Sequence, residues 1–372
     1  MDLKEEIELR RAEIHSDGYP MSIGEILNLY RDGELDIHPE FQRFFRWDEG
    51  QKSRLVESLL LGIPIPSIFV SQRQDGVWDV IDGLQRLSTI FQLVGVLKDQ
   101  TGDLLEPLVL SKTKYLPSLE GKKWEDEAHP ENAIGIEHQL LIKRSKIDIK
   151  IILRESSESS KYELFQRLNT GGSQLTDQEL RNCILITVNP DAYTWLTNLA
   201  SDANFNTCVT LTDRAESEQY NIELIVRFLV FRRLPEGNLK GIGDIGEFLT
   251  DELVRLGESL KTDVKKQTAE EAAFKFTFEK LAETLGDDSF RRFSMEKGRY
   301  AGGFLLSAFE AIAMGVGYNF ELYQGANPIP DIAATAKTLW QNEDFDRYTG
   351  SGVRASSRVP VIIPLGRRLF AQ

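Results

Sequence analysis

Between Ser67 and Leu97 the sequence changes its period, and that change limits the class of fold. Two β-type runs, Ser67-Ile68-Phe69-Val70 and Val77-Trp78-Asp79-Val80-Ile81, flank Asp75-Gly76, a pair suited to a tight hairpin turn. The second run passes without a spacer into Asp82-Gly83. From there Leu84, Leu87, Phe91, Val94 and Leu97 recur at helical spacing. A hairpin that feeds straight into an amphipathic helix is the start of an α+β layer, with a small mixed sheet flanked by helices.

The flanking sequence supports the same class. Ile23, Ile26, Leu27 and Tyr30 predict a helix over Ser22–Tyr30. Asp48 with Gln51 reads as a capping box opening a helix that carries Leu55, Val56, Leu59 and Leu60 and stops at Gly62 and Pro64. Lys146–Leu153 alternates at first and reads as a strand, and residues 100–145 read as short strands and loop. Glu158–Leu168 predicts a helix ended by Asn169-Thr170-Gly171-Gly172, and Thr176 with Glu179 caps the next. From about Pro190 helical patterns dominate, at residues 216–234, 244–260, 264–285, 299–315 and 331–341. The expected division is an arm at 1–19, an α+β domain at 20–188, an all-α domain at 189–350 and a basic tail at 351–372.

Charge narrows the function classes. The net charge of -14 excludes a protein that coats DNA with a generally basic surface, because non-specific affinity comes from Lys and Arg neutralising phosphates. Any nucleic-acid surface must be local. The tail is one candidate, since Arg354, Arg358, Arg367 and Arg368 stand there without an acidic neighbour. Arg46 in the aromatic stretch Phe44-Phe45-Arg46-Trp47 is another. Cys183 and Cys208, the only cysteines, form neither a disulfide framework nor a zinc site, which fits a reducing compartment such as the cytoplasm. The most apolar stretch, Leu55–Val70, is too short and too interrupted to span a bilayer, so no membrane partner is expected.

Three elements can carry chemistry. At Asp82-Gly83-Leu84-Gln85-Arg86 a strand enters a glycine turn and a helix start, where free N–H groups and the helix dipole attract anions. Arg86 could grip a phosphate, Gln85 orient a water, and Asp82 hold a metal or accept a proton. Their spacing fits equally an N-cap (Asp82) with its capping-box partner (Gln85). Gln42 and Arg43, before Arg46 and Trp47, suit phosphate or base contact, or a loop whose aromatics plug the core. Asn169 and Gly171 suit close approach to a ligand, or a helix C-cap. No G-x-x-x-x-G-K-[ST] loop, G-x-S-x-G elbow or H-E-x-x-H pair is present.

Taken together, these elements resemble the N-terminal domain of GmrSD-type type IV restriction enzymes, a ParB/sulfiredoxin-like domain common in bacterial anti-phage defence. The matching stretches are Pro39–Arg43 through Trp47, Leu55–Pro66, Ile81–Thr89, and Phe165–Gly172 with Leu175 and Glu179–Arg181, in the family's order over roughly residues 20–187. The resemblance implies a domain that binds, and often hydrolyses, a nucleoside triphosphate with Mg²⁺. The family's D-G-Q-Q-R motif is carried here by Asp82, Gly83, Gln85 and Arg86; Leu84 replaces the first glutamine, which puts hydrolysis in doubt more than binding. No HNH-type pattern follows in the second half, so the chain is expected to be a stand-alone member that acts on or under the control of DNA and works beside a separate nuclease partner.

Two functions follow as expectations. In the first, a nucleoside triphosphatase of a restriction system, Arg43 and Arg86 neutralise phosphates, Gln85 places water and Asp82 holds Mg²⁺. In the second, a ParB-like switch, the domain binds nucleotide or DNA and leaves the cutting to its partner. A metal nuclease using Asp82 with Asp79 or Glu57 is a minor option, and a homo-oligomer is left open. Sulfiredoxin-like chemistry is rejected, because no cysteine lies near the turn.

Overall fold

The computed structural model describes residues 2–5, 7, 15–37, 47–99, 101–156, 176–325, 329–350 and 352–371. The chain divides into two compact units, Met1–Leu175 and Thr176–Gln372.

The first unit is built on a five-stranded mixed sheet in the spatial order β1-β5-β3-β4-β2. The strands are β1 (Ser16–Ser22), β2 (Leu35–Asp36), β3 (Ile68–Gln72), β4 (Trp78–Asp82) and β5 (Lys146–Ile152). β3 and β4 form the expected antiparallel hairpin, closed by Gly76 at φ 92°. β5 pairs parallel with β3 and antiparallel with β1, and β2 runs parallel to β4. Along β5 the lysines and Asp148 point out while Ile147, Ile149 and Ile151 point into the core, as the period-two pattern requires.

Among the described residues the helices that accompany the sheet include α1 (Ile23–Arg31), α2 (Glu49–Leu61), α3 (Leu84–Val94) and α4 (Ile136–Arg144). Ser22 caps α1, the Asp48–Gln51 box opens α2, and Gly62 ends it in the left-handed region at φ 69°. The helix α3 buries Leu87, Ile90, Phe91 and Leu93 in the core. Tyr30 stacks on Phe91 with ring centroids 4.2 Å apart. Leu97, expected on this helix, follows its glycine stop at Gly95 and is buried from the loop.

Two local expectations need correction, and a third falls outside the described residues. Residues 16–19, expected in an arm, belong to the edge strand β1, whose register comes from β5, far away in sequence. A Cβ at Gly18 would lie 2.8 Å from the Ile149 carbonyl oxygen, so the pairing selects glycine there. Residues 100–145 yield no named strand; they hold α4 and two short 3₁₀ turns, Pro117–Leu119 and Pro130–Asn132, each with proline at its start. The helix expected at Glu158–Leu168 lies outside the described residues.

The second unit is mainly helical. Its longer helices are α5 (Asp177–Val188), α6 (Pro190–Ala200), α7 (Tyr220–Phe231), α8 (Ile245–Leu260), α9 (Val264–Thr284), α10 (Leu306–Tyr318), α11 (Ile332–Leu339) and α12 (Ala355–Leu369). Thr176 and Glu179 make the expected capping box of α5. The unit also contains a hairpin, β6 (Arg292–Ser294) and β7 (Arg299–Ala301), where the sequence pattern had suggested that a helix begins at 299. Where the sequence placed the domain boundary near 188–192, α5 falls in the second unit. The Arg181 guanidinium explains why: it is buried among Gln178, Glu223 and the Gly246 carbonyl.

Aromatic rings and buried charge hold this unit together. Phe205, Phe228, Phe274, Phe278, Phe290 and Phe309 are fully buried and pack largely edge-on or tilted, an arrangement that adds about 0.5–1.5 kcal/mol per pair beyond area burial. Beside them runs a chain of ions. Arg181 and Arg227 share Glu223, each at 2.7 Å, Arg227 also reaches Glu310 at 3.3 Å, and Arg358 binds Glu310 at 2.6 Å. The chain joins α5, α7, α10 and α12.

The segment expected to be a basic tail is therefore α12, packed along α10. A Cβ on Gly366 would stand 2.0 Å from the Ala311 carbonyl oxygen, so the two helices touch backbone to backbone. Val359, Ile362 and Ile363 are buried despite Pro360 and Pro364 within the helix.

Glu310→Ala would leave Arg227 and Arg358 without their shared carboxylate in a dry interior. We expect a loss of about 3–5 kcal/mol, read as a lower urea midpoint, with Glu310→Gln losing less. A midpoint unchanged in Glu310→Ala would contradict this account.

Candidate functional site at the Asp82 turn

β4 ends at Asp82, and Gly83 turns the chain into α3 with φ 101° and ψ 11°. Two constraints select glycine there. The backbone is left-handed, and a Cβ would sit 2.1 Å from Cδ1 of the buried Ile68 on β3. A bulge between Phe69 and Val70 brings Phe69 opposite Asp82.

The start of α3 differs from its neighbours. Ser22, Asp48 and Thr176 cap α1, α2 and α5 with side-chain oxygens, whereas no side chain caps α3. The first intrahelical bond runs from the Leu87 N–H to the Gly83 carbonyl at 2.9 Å. The N–H groups of this first turn have no intrahelical acceptor, an arrangement that attracts an anion. The helix α4 also begins on an uncapped glycine, Gly135, but it places Glu137 in its first turn, where α3 places Arg86 and no acid.

Asp82 and Gln85 do not form the capping box that their spacing allows. Asp82 Oδ2 instead accepts from Arg86 Nη2 at 2.8 Å. Arg86 Nη1 donates to the Ser67 carbonyl at 3.0 Å and to the Pro66 carbonyl. The arginine, only 12 % exposed, thereby ties the approach to β3, the end of β4 and the first turn of α3. Asp82 remains 38 % exposed. Gln85 Oε1 accepts from the Trp47 N–H at 3.4 Å, and the Thr89 hydroxyl donates to the Gln85 carbonyl at 2.7 Å. Leu84 packs against the hydrophobic core.

The remaining candidates fall in different places. Gln42, Arg43 and Arg46, and likewise Asn169 and Gly171, lie outside the described residues. Of the tail arginines, two serve the fold. Arg358 is spent on Glu310, and Arg367 is buried with Nη2 donating to the carbonyls of Phe231 and Leu234. Arg354 and Arg368 remain exposed. Pro66 and Ser67 act through carbonyl oxygens, which no residue-type pattern announces.

The minor nuclease arrangement is not assembled. Asp79 accepts from Arg73 Nε at 2.9 Å, and Arg73 also binds Asp36 at 2.7 Å. Glu57 Oε1 accepts from the Tyr115 and Leu116 N–H groups at 2.8 and 3.0 Å. Among the described residues no group of three or more His, Cys, Asp or Glu could hold a metal ion. A cation at Asp82 would therefore have this one carboxylate as its described protein ligand. Mg²⁺ accepts such a set, since it commonly completes its shell with water and substrate phosphates. Both cysteines are buried, and burial pushes the Cys183 thiol far up and the Cys208 thiol to about 11, which keeps both unreactive.

Residues 23–186 match the family described as GmrSD restriction endonuclease, N-terminal domain. The first part of this chain is a GmrSD-type N-terminal domain. Its span covers β2 to β5, the Asp82 turn and most of α5, and its family ties the chain to DNA restriction and defence. No curated protein matches the chain. No helix among the described residues is long and apolar enough to cross a membrane.

Two outcomes test this geometry. Gly83→Ala should destabilise the GmrSD-type domain by about 2–4 kcal/mol, through the positive φ and the collision with Ile68; an unchanged melting temperature would refute the close seating. The second concerns Glu57. The Thr113 hydroxyl, with the Tyr115 and Leu116 N–H groups, holds its carboxyl below the usual range against the effect of burial. A carboxyl lowered in the folded state stabilises the fold above its unfolded pKa, near 4.3, and that contribution is lost as pH falls through the folded value. Glu57→Gln should therefore flatten the acid side of the stability–pH curve, and an identical slope in both proteins would rule the contribution out.

Proposed function

We propose that the domain binds a nucleoside triphosphate at the Asp82 turn and hydrolyses it as part of a DNA restriction system. The observation that carries this reading is the uncapped first turn of α3, with Arg86 and Asp82 fixed beside it. The N–H groups of the helix start receive phosphate oxygens, and the arginine adds positive charge without having to be ordered first. Gln85, tethered to the Trp47 backbone, orients the attacking water. Mg²⁺ held by Asp82 would neutralise phosphate charge. Arg43, Gln42, Asn169 and Gly171 are proposed to complete the phosphate cradle. DNA acts as target or regulator, and a nuclease partner makes the cut.

A second reading rests on Leu84. It packs on the core where the family motif has glutamine, so the turn offers one side-chain amide in place of two. With that loss the domain would bind nucleotide as a switch without turning it over.

Phosphate release from ATP, GTP, CTP and UTP with Mg²⁺, with and without DNA, tests both. Gln85→Ala and Arg86→Ala should each lower turnover by about 100-fold or more. Because Arg86 also ties the turn together, Gln85→Ala is the cleaner variant. Unaltered turnover in both rejects the site. Tight binding without turnover by the native protein selects the switch, and neither binding nor turnover rejects the nucleotide reading altogether.

A further inference from the structure

The β6–β7 hairpin of the helical unit gathers positive charge that no described residue pairs. In the same unit, exposed cations are often matched by an acid close in sequence: Arg214 by Glu218, Arg255 by Glu252, Lys261 by Glu258 and Lys275 by Glu271. Arg292, Lys297 and Arg299 are exposed, and none of them forms an ion pair with a described residue. The acids at the base of the hairpin, Asp287 and Asp288, are taken up by Arg291. Glu296 at the tip is the one opposing charge within the ribbon.

The register sorts the two faces. Phe293 stands opposite Tyr300, with ring centroids 4.9 Å apart. This face is held to the body of the unit: Lys337 of α11 lies 5.5 Å from the Phe293 ring, and burial raises the Tyr300 hydroxyl to about 12. At the tip, Gln341 donates to Met295. Ser294 is opposite Arg299 and Arg292 opposite Ala301, so by strand alternation both arginines occupy the other, outward face. Lys297 stands in the turn beyond them, where its N–H bonds the Ser294 hydroxyl.

We propose that this outward face docks on the phosphate backbone of duplex DNA. A two-stranded ribbon fits a duplex groove, and guanidinium forks match phosphate oxygens. The aromatic rings are turned inward, so the outward face has no platform on which single-stranded bases could stack. The contact is to phosphate and carries no base sequence. It gives the restriction function a DNA surface independent of the nucleotide turn and different from the tail arginines, two of which are spent inside the fold.

The test is the salt dependence of binding of the full chain to a labelled duplex of about 30 base pairs, between about 50 and 200 mM salt. The variant Arg292→Ala/Lys297→Ala/Arg299→Ala should bind more weakly, with its log–log salt slope reduced by about 2.7, or about 0.9 per lost contact. A charge-matched control, Lys240→Ala/Lys265→Ala/Lys266→Ala, should keep the native slope. The native slope in the hairpin variant, an equal loss in the control, absence of duplex binding by the native protein, or preference for the single strand would each overturn the proposal. Nucleotide turnover measured on the same variant separates this result from the proposed function, because the hairpin variant should keep it.

Discussion

The candidate site depends on one close approach, that of the Gly83 backbone to the Ile68 side chain. With no Cβ on Gly83 to meet Ile68 Cδ1, β4 can pass into α3 directly against β3. The helix then opens without a capping side chain, and its first turn comes within reach of the Pro66 and Ser67 carbonyls. Arg86 bridges those carbonyls to Asp82. Strand, turn and helix are thus one rigid corner, which suits a site that must hold an anion by geometry more than by flexible side chains.

The helical unit is organised differently. Its interior combines a cluster of phenylalanines with a chain of fully or nearly buried ions from Arg181 to Arg358. Each carboxylate in that chain serves two arginines, so the burial of charge is compensated within the fold. The GmrSD-type match runs into α5, and α5 is anchored by the first member of this chain. The last helix of the matched domain is therefore also a core element of the unit that follows it.

Much of the local structure was legible in residue order. The Asp48–Gln51 and Thr176–Glu179 boxes, the Gly62 stop, the Asp75-Gly76 hairpin and the stripe of α3 from Leu84 to Val94 all depend on neighbours within a few positions, and each is found where expected. The failures lie where a distant partner decides. Residues 16–19 become a strand because β5 offers an edge, and 292–301 form a ribbon whose aromatic side finds Lys337. The tail looked basic and free because its partners, Glu310 and the α7 carbonyl end, are far away in sequence.

By itself the sequence determined the α+β class of the first part, the helical character of the rest, the family motif at Asp82–Arg86 and the glycine turn at Gly83, since these rest on local periodicity and on residues with few conformational choices. Tertiary structure alone decided what the charges do. It paired Asp82 with Arg86 in place of a capping box, consumed Asp79, Glu57, Arg358 and Arg367 within the fold, and left Arg292 and Arg299 on one face of a ribbon and Lys297 in its turn, with no ion pair to a described residue. An ionic side chain takes its role from whichever opposite charge or carbonyl the fold brings within about 3 Å, and that distance is not written in the order of the residues.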